Sequence, residues 1–305
     1  MAITKEIWER SIVEGLFADN SFMSKAFNGD EYVNAGKIVH IPQAGAASSV
    51  AKNRTSLPAT VKQRKDSDLT YTLTEFTTDP VLIPHADTVE LSYNKRESVL
   101  RMDKMTLFDS VAKDFIYNWS PATSHTISTS GAAVEGAPHA TATGTRKAIT
   151  RKDVFDLMTR FNRDNVPQEG RYLLLDAVMY SQLLQDLTQA DAQAFHSLAN
   201  MSQGILGRFC SFNVMMRSEA ALYTSSAPKS WDTAAAAGDL GAALAWHEQS
   251  VVRALGEVKA FEQEGAPEYY GDVYSFLVRA GGRIRRSDNK GVWAIVQATA
   301  AATAE

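Results

Sequence analysis

Residues 94–119, NKRESVLRMDKMTLFDSVAKDFIYNW, carry the strongest secondary-structure signal in the sequence. Apolar residues recur there every three or four positions, the spacing of one face of an amphipathic helix: Val99, Met102, Met105, Phe108, Ala112, Phe115 and Trp119. Asn94 and Glu97 match a capping box at the start, and Pro121 ends the helix. At 1.5 Å per residue the helix would be about 35–40 Å long, which is long for a globular protein.

A long basic stretch precedes this helix in a chain whose net charge is −4. Residues 51–65 contain no acid and five cations, which are Lys52, Arg54, Lys62, Arg64 and Lys65. Strand patterns lie on either side of it, at 37–42 and 69–76, and another extended segment follows at 81–84. Loops of about twenty residues without secondary structure are usually functional or disordered. We therefore expect an extended excursion that has a role of its own.

The chain begins with an acidic arm. Residues 5–18 predict an amphipathic helix that Thr4 can cap. Residues 1–36 hold six acids and three cations, a net charge of −3. The arm and the basic excursion are thus opposite in charge.

The half that follows the long helix reads as mixed α/β. Residues 120–149 are rich in Ser, Thr, Ala and Gly, which predicts an irregular surface region and a subdomain boundary. The predicted helices are 151–163, opened by Thr150 and Asp153, then 177–187 and a short one at 248–255. The predicted strands are 172–176, 212–216, 240–247, 257–263, 273–286 and 291–298, with a turn at 287–291 in which Gly291 takes a positive φ.

The sequence offers no motif for catalysis, a cofactor or a metal. There is no nucleophile elbow, phosphate-binding loop or His-Glu-x-x-His pattern, and His247-Glu248 lacks a second histidine. The single cysteine, Cys210, excludes an internal disulfide and a cysteine metal cluster. We expect His40 and His85 to be structural. The sequence therefore predicts a protein that is not an enzyme and has no cofactor.

The composition of the chain restricts the classes of partner that we expect it to bind. The chain has 305 residues, 45% of them hydrophobic, and no apolar run of the roughly 20 residues that a bilayer requires. Its start carries acids and does not resemble a signal peptide, so we expect an intracellular protein without a membrane partner. The acidic total argues against a general nucleic-acid binder. We expect the cations of 279–290 (Arg279, Arg283, Arg285, Arg286 and Lys290) to be solvated or paired with acids.

The order of these parts resembles the major capsid proteins of tailed bacteriophages, which have the Hong Kong 97-type capsid fold. LGRFCSFNVMMRSEA (206–220) is similar to a family stretch in which a strand follows a Gly-rich turn, and 244–296 to the C-terminal block of the family. The resemblance implies an α+β fold with these parts: an N-arm at 1–36, an extended E-loop with its flanking strands at 37–80, a peripheral domain at 81–119 and 256–290 with the spine helix at 94–119, and an axial α/β domain at 120–255 and 291–305.

The resemblance also implies a function. The chain would self-assemble as hexamers and pentamers into an icosahedral shell, in the host bacterial cytoplasm, and become part of the virion. Its partners would be copies of itself, packaged double-stranded DNA held non-specifically, a portal and a decoration protein. Since the chain starts directly with the arm, the resemblance implies either a separate scaffolding protein or none. The Lys–Asn cross-link of some members is not carried over, because no matching pair is identifiable.

The basic excursion would then be a tether that lies over a neighbouring subunit, against its acidic arm or the acids of its spine helix. The candidate inter-subunit contacts are Lys52, Arg54, Lys62, Arg64 and Lys65 in the excursion and Glu6, Glu9, Glu14, Trp8 and Phe17 in the arm. Three alternatives remain open. They are an encapsulin shell that encloses a protein cargo, an enzyme of unknown class, and another structural phage protein of the tail or the capsid surface.

Overall fold

The computed structural model describes residues 20–34, 36–43, 50, 52–55, 58, 61, 67–84, 95–134, 138–200, 203–225 and 227–300 of the chain. The expected helix at 5–18 and the Asn94 cap lie outside these residues. His85 and the last five residues lie outside them as well. Within the described part, no helix is both long enough and apolar enough to cross a bilayer.

The described chain contains four α-helices and seventeen strands. The helices are α1 (Lys95–Trp119), α2 (Arg151–Arg163), α3 (Ala177–Asp186) and α4 (Gln189–Ser197), with 3₁₀ turns at Ser21–Ser24, Asp30–Tyr32 and Thr123–His125. The strands are β1 (Phe27–Asn28), β2 (Val33–Asn34), β3 (Ile38–Gln43), β4 (Ser67–Thr72), β5 (Thr74–Thr77), β6 (Val81–Pro84), β7 (Thr126–Ser128), β8 (Ala133–Val134), β9 (Arg146–Lys147), β10 (Arg171–Asp176), β11 (Gly207–Phe209), β12 (Phe212–Arg217), β13 (Ala221–Tyr223), β14 (Leu240–His247), β15 (Val251–Ala266), β16 (Gly271–Ile284) and β17 (Val292–Val296).

Two larger sheets organise these strands. One has the order β1-β15-β16-β5, with β6 also paired to β16, and its centre is the long antiparallel hairpin of β15 and β16. The other has the order β11-β12-β10-β14-β17-β7, with β13 paired to β14. A three-stranded sheet (β2-β3-β4) and a two-stranded one (β8-β9) complete the described strands. The expected strands at 37–42 and 81–84 are confirmed within a residue or two, whereas the strand expected at 69–76 is divided at Leu73 into β4 and β5, which belong to different sheets.

The long helix α1 confirms the strongest prediction, but its buried face differs from the predicted one. Met102 and Met105 were expected in the apolar stripe, and their side chains are 65% and 57% exposed. Four predicted members of the stripe are buried, namely Phe108, Ala112, Phe115 and Trp119, and four further side chains are buried with them: Leu100, Leu107, Val111 and Ile116. The buried stripe therefore follows α1 from Leu100 to Trp119, and Met102 and Met105 lie outside it.

The seven-stranded sheet is covered on both faces. On one face Leu173, Leu175 and Val214 pack with the apolar residues of α2, α3 and α4. On the other face Leu174 and Trp246 belong to the same core cluster as α1. Burial on both faces explains why β10 is fully buried and why β14 and β17 read as continuous apolar runs.

Three local predictions need correction. Residues 248–255 are a turn followed by the start of β15, because Val251 and Val252 pair with Ile284 and Arg283 of β16 and tertiary pairing decides short apolar runs. Region 120–149 is only partly irregular, since β7 joins the large sheet in parallel with β17. Helix α4 was not predicted. The helix at 151–163 is confirmed together with its capping box, which Thr150 and Asp153 form.

The predicted turn at 287–291 carries the chain from one sheet to the other and does not close a hairpin. Gly291 has the expected positive φ, +79°. A Cβ at this position would lie 2.3 Å from Ser250 Oγ, in the turn where β14 leads into β15. His247 N–H donates to the Gly291 carbonyl at 2.9 Å, and Arg285 N–H donates to the Ser250 carbonyl at 2.8 Å. The two passages between the sheets are therefore hydrogen-bonded to each other.

Trp119, at the end of α1, packs between the two large sheets. It is fully buried, and its ring centroid lies 5.6 Å from that of Trp246 in β14 and 6.0 Å from that of Phe22. Its Nε1–H donates to the Val252 carbonyl of β15 at 3.0 Å. A Cβ on Gly282 would lie 2.5 Å from Trp119 Nε1, so a glycine in β16 permits this close approach. Trp119 thus connects the helix, to which it belongs, with both sheets.

We expect Trp119→Ala to lower the free energy of unfolding of the unassembled subunit by about 3–5 kcal/mol, because it leaves a large cavity and an unpaired carbonyl. Urea unfolding followed by far-UV circular dichroism measures this loss. Met102→Ala, on the exposed side of the same helix, is the matched control and should change the value by less than about 0.5 kcal/mol. Equal effects of the two substitutions would contradict the role assigned to Trp119.

Candidate functional site

The structure describes two of the ten predicted contact residues. Lys52 and Arg54 are exposed, beside a turn at Asn53 with a φ of +50°. The other eight lie outside the described residues, namely Lys62, Arg64, Lys65, Glu6, Glu9, Glu14, Trp8 and Phe17. Their contacts with a neighbouring subunit stay a prediction.

The strands that carry the basic excursion are anchored to the long hairpin. β3 and β4 pair antiparallel from Ile38↔Thr72 to Gln43↔Ser67. Val39, Ile41 and Leu73 pack against Val252 and Ala254 of β15 in one buried cluster. The alternation of buried and exposed residues along β3 therefore fixes where the excursion leaves the subunit.

Ion pairs reinforce this anchor. Arg279 of β16 donates to Glu75 of β5 at 2.7 Å and to Glu257 of β15 at 3.1 Å. Arg283 donates to the Thr70 carbonyl of β4 at 3.3 Å. Arg286 pairs with Asp288 at 2.8 Å. Two of the five cations expected to be solvated or paired with acids, Arg279 and Arg286, therefore have acid partners within the subunit.

The register of β5 gives the direction in which the excursion leaves. Thr77 pairs with Leu277 and Thr74 with Ala280, so the chain read backwards through β5 runs toward the C-terminal end of β16. The Arg283–Thr70 contact continues that direction. Residue 271, at the other end of β16, lies about 30 Å from Ala280, given 3.3 Å per strand residue. The strands β3 and β4, which carry the basic excursion, therefore lead away from the turn of the hairpin.

A buried polar network, which the sequence reading missed, holds together two loops beside the seven-stranded sheet. Arg146 is 2% exposed and donates hydrogen bonds to the carbonyls of Thr143, Gly144, Ala237 and Asp239. The Asp239 carboxylate accepts from Lys229, from His139 Nε2 at 3.1 Å and from the Ala236 N–H at 2.8 Å. The sequence signal for this network was a lone arginine in the Ser/Thr/Gly-rich segment. Its partners Ala237 and Asp239, however, lie about ninety residues away in the sequence.

Burial opposes ionisation of Asp239, but hydrogen bonds from Ala236 N–H, Lys229 and His139 outweigh it and hold the pKa of the carboxyl below its ordinary value. A lowered pKa means that this carboxylate stabilises the fold above the ordinary pKa near 4, and that the contribution is lost as the pH falls through the folded value. The network is thus an acid-sensitive part of the fold.

The remaining candidate groups are structural. Within the described ranges no cluster of three or more His, Cys, Asp or Glu residues could hold a metal ion. Burial lowers the pKa of His247, and burial raises the pKa of the Cys210 thiol to about 12, which leaves it unreactive. His40 contacts Asp68 at 3.0 Å on the surface. A cleft of 180 Å³ beside Trp231 is smaller than the ~300 Å³ of the smallest common ligand pockets.

We expect Asp239→Asn to lower the free energy of unfolding at pH 6 by about 3–5 kcal/mol, because it leaves the buried Lys229 ammonium without its counter-charge. Between pH 4 and pH 2 the variant should lose less further stability than the wild type, as it lacks the titrating group. Chemical unfolding across this pH range measures both effects. Asp156→Asn, an exposed acid on α2, should follow the wild-type profile. A parallel pH profile for the Asp239 variant would contradict the assignment.

Comparison with known proteins gives fold-level matches only. No protein-family model matches the sequence, and no curated protein matches it. Among solved structures, the chain is similar to the capsid of the cyanophage P-SCSP1u, with 16% identity, a TM-score of 0.59 and coverage of 89% of this chain and 85% of that one. It is similar to the capsid of Ralstonia phage GP4, with 12% identity, a TM-score of 0.63 and coverage of 92% and 89%. The head structure of Helicobacter pylori bacteriophage KHP40 matches with 13% identity, a TM-score of 0.56 and coverage of 89% of both chains.

These matches extend over nearly the whole of this chain and of each of the three phage chains. The long helix, the long hairpin and the seven-stranded sheet are therefore parts of one shared fold. The chain has the α+β, Hong Kong 97-type fold of the tailed-phage capsid proteins.

Proposed function

We propose that the chain is a major capsid protein that self-assembles into the icosahedral shell around the double-stranded DNA genome of a tailed bacteriophage. The observation that carries this proposal is the match of the fold to phage capsid chains over 85% or more of both partners. The role is structural and not enzymatic.

The subdomains of the family map onto the described elements in a consistent way. We assign residues 1–36 to the N-arm and residues 37–80 to the E-loop, whose base would be β3 and β4. Helix α1 and the hairpin region 256–290 would form the peripheral domain. Residues 120–255 and 291–305, which contain the seven-stranded sheet, would form the axial domain. The two separate large sheets support the distinction between a peripheral and an axial domain, while β1, β5 and the first residues of β15 cross the assigned boundaries.

The proposed partners are chiefly other copies of the chain, as hexamers and pentamers. A portal, a scaffolding protein and a decoration protein would join them in the particle, which assembles in the bacterial cytoplasm. Packaged DNA would be held without sequence preference. The use of Arg279 and Arg286 in internal ion pairs supports this weak contact, because it removes cations that would otherwise be available to phosphates.

We expect the expressed chain, alone or with its scaffolding protein, to form closed shells or tubes that electron microscopy resolves. The ratio of absorbance at 260 and 280 nm on the same fraction reports the content. Nucleic acid inside would agree with a capsid protein, whereas protein cargo would indicate an encapsulin. A uniform monomer under both conditions would refute the proposal.

We expect the triple substitution Lys62→Glu, Arg64→Glu and Lys65→Glu to impair assembly while the subunit stays folded, because it reverses the charge of the proposed tether. One exposed ion pair is worth about 0–1 kcal/mol, but a shell repeats each pair many times. Sedimentation of assembled particles measures the loss. The matched control reverses Lys152, Arg163 and Arg208, three exposed cations elsewhere on the subunit. Normal shells from the tether variant would refute the proposed tether.

A further inference from the structure

Asp114 on α1 is a buried carboxyl group whose hydrogen-bond donors are both neutral. The residue is 7% exposed. Its Oδ2 accepts a hydrogen bond from Asn118 Nδ2 at 2.7 Å, and its Oδ1 accepts one from the indole N–H of Trp231 at 3.3 Å. In the described part of the chain no cation forms an ion pair with it. A buried carboxylate without a counter-charge is unfavourable, so its protonation affects the groups that bury it.

Trp231 connects Asp114 with both large sheets. It lies in the loop between β13 and β14 of the seven-stranded sheet. Its ring centroid is 6.3 Å from that of Phe76 in β5, which belongs to the sheet of the long hairpin. The indole therefore packs on a strand of one sheet, while its N–H holds a loop of the other sheet on α1.

The segment around Trp231 has few other anchors. We call residues 230–235 the lid. From Trp231 onward the lid is exposed, and a cleft of 180 Å³ lies beside it. Among the described residues, the other hydrogen bonds of the lid join its own members, because the Ser230 hydroxyl donates to Asp232 and the Thr233 N–H donates to the Ser230 carbonyl. An exposed segment with so few buried contacts opens at low cost.

Both ends of the lid are fixed to the rest of the subunit. Before the lid, Lys229 is buried and pairs with Asp239. After it, the Ala236 N–H donates to the Asp239 carboxylate at 2.8 Å, and the Ala237 carbonyl accepts from Arg146 at 3.2 Å. A movement of Trp231 is therefore confined to the lid and leaves the buried network in place.

Charged groups approach this region from every element packed around it. The lid itself contributes Asp232, whose negative charge opposes ionisation of Asp114. The other charged groups are paired with each other: Lys113 with Asp109 and Glu219, Arg217 with Asp109, Glu75 of β5 with Arg279, and His139 with Asp239 at the base of the lid. The pairs that join α1 to the segment after β12 hold the helix on the seven-stranded sheet without the lid.

Burial raises the pKa of Asp114 to about 6, while the hydrogen bonds from Trp231 and Asn118 lower it and the charge of Asp232 raises it by smaller amounts. An open lid would expose this carboxyl group to water, where its pKa is near 4. The closed lid therefore binds the proton more tightly than the open one. The ratio of closed to open lid should rise as the pH falls through 6 and should be lower at neutral pH, by up to about a hundredfold.

We propose that the lid closes on α1 when Asp114 is protonated and is released when this carboxyl group ionises. The protonated group keeps one oxygen that accepts from the indole N–H, and Asn118 can turn its amide oxygen toward the new O–H. Acid thus strengthens one link between the two large sheets, and a rise in pH weakens it. The inference concerns the folded subunit and does not rest on the proposed function.

Fluorine NMR of the full chain labelled with 5-fluorotryptophan measures the position of the lid. Comparison with Trp231→Phe identifies the signal of residue 231 among those of the five tryptophans. A soluble, neutral gadolinium chelate speeds the relaxation of exposed fluorine nuclei. We expect its effect on Trp231 to be larger at pH 8 than at pH 5 by about twofold or more. Its effect on Trp246, which is fully buried, should stay constant.

Asp114→Asn keeps the acceptor oxygen and removes the titrating group, so the effect on Trp231 should be as small at pH 8 as at pH 5. Asp103→Asn is the matched control, because it makes the same change about three turns earlier on α1, at a carboxyl group whose pKa burial also raises. It should follow the wild type, and circular dichroism should show both variants to be folded. A Trp231 signal that is independent of pH in the wild type, or that still depends on pH in Asp114→Asn, would overturn the inference.

Discussion

The burial of Trp119 between two sheets is the constraint on which the rest of this subunit depends. The indole packs on Trp246 of one sheet and donates its single N–H to the Val252 carbonyl of the other. The long helix therefore meets both sheets at its C-terminal end. The chain passes from one sheet to the other in the turn after His247, close to this contact, and returns near Gly291. The hydrogen bonds between these two passages fix the sheets to the helix as one unit.

The ends of the helix and of the hairpin that lie far from Trp119 do not take part in this packing. The hairpin of β15 and β16 ends in an exposed turn. The strands β3 and β4 lead toward the opposite end of β16. A subunit with a packed centre and exposed charges at the ends of its strands suits assembly with copies of itself. These features are the physical basis of the proposed shell function.

Local signals in the sequence predicted much of the secondary structure. The 3.6-residue period located α1, the capping box of Thr150 and Asp153 located α2, and continuous apolar runs located β10, β14 and β17. Errors arose where tertiary contacts decide. Residues 248–255 have an apolar spacing that fits a helix or a strand, and pairing with β16 decided for the strand. Met102 and Met105 fit the helical period, but neither is buried, because the face of α1 that packs on the core carries Leu100 and Leu107 in this part of the helix.

The sequence by itself determined the order of the elements, the opposite charges of the arm and the excursion, and hence the resemblance to phage capsid proteins. These depend on residues close together along the chain, where period, capping and turn chemistry act directly. Only the tertiary structure decided which charges meet. The Arg146–Asp239 network joins loops about ninety residues apart, and Arg279 of β16 pairs with Glu75 of the neighbouring strand β5. The direction in which β3 and β4 lead likewise depends on strand register, which is fixed by packing between distant segments and not by local sequence.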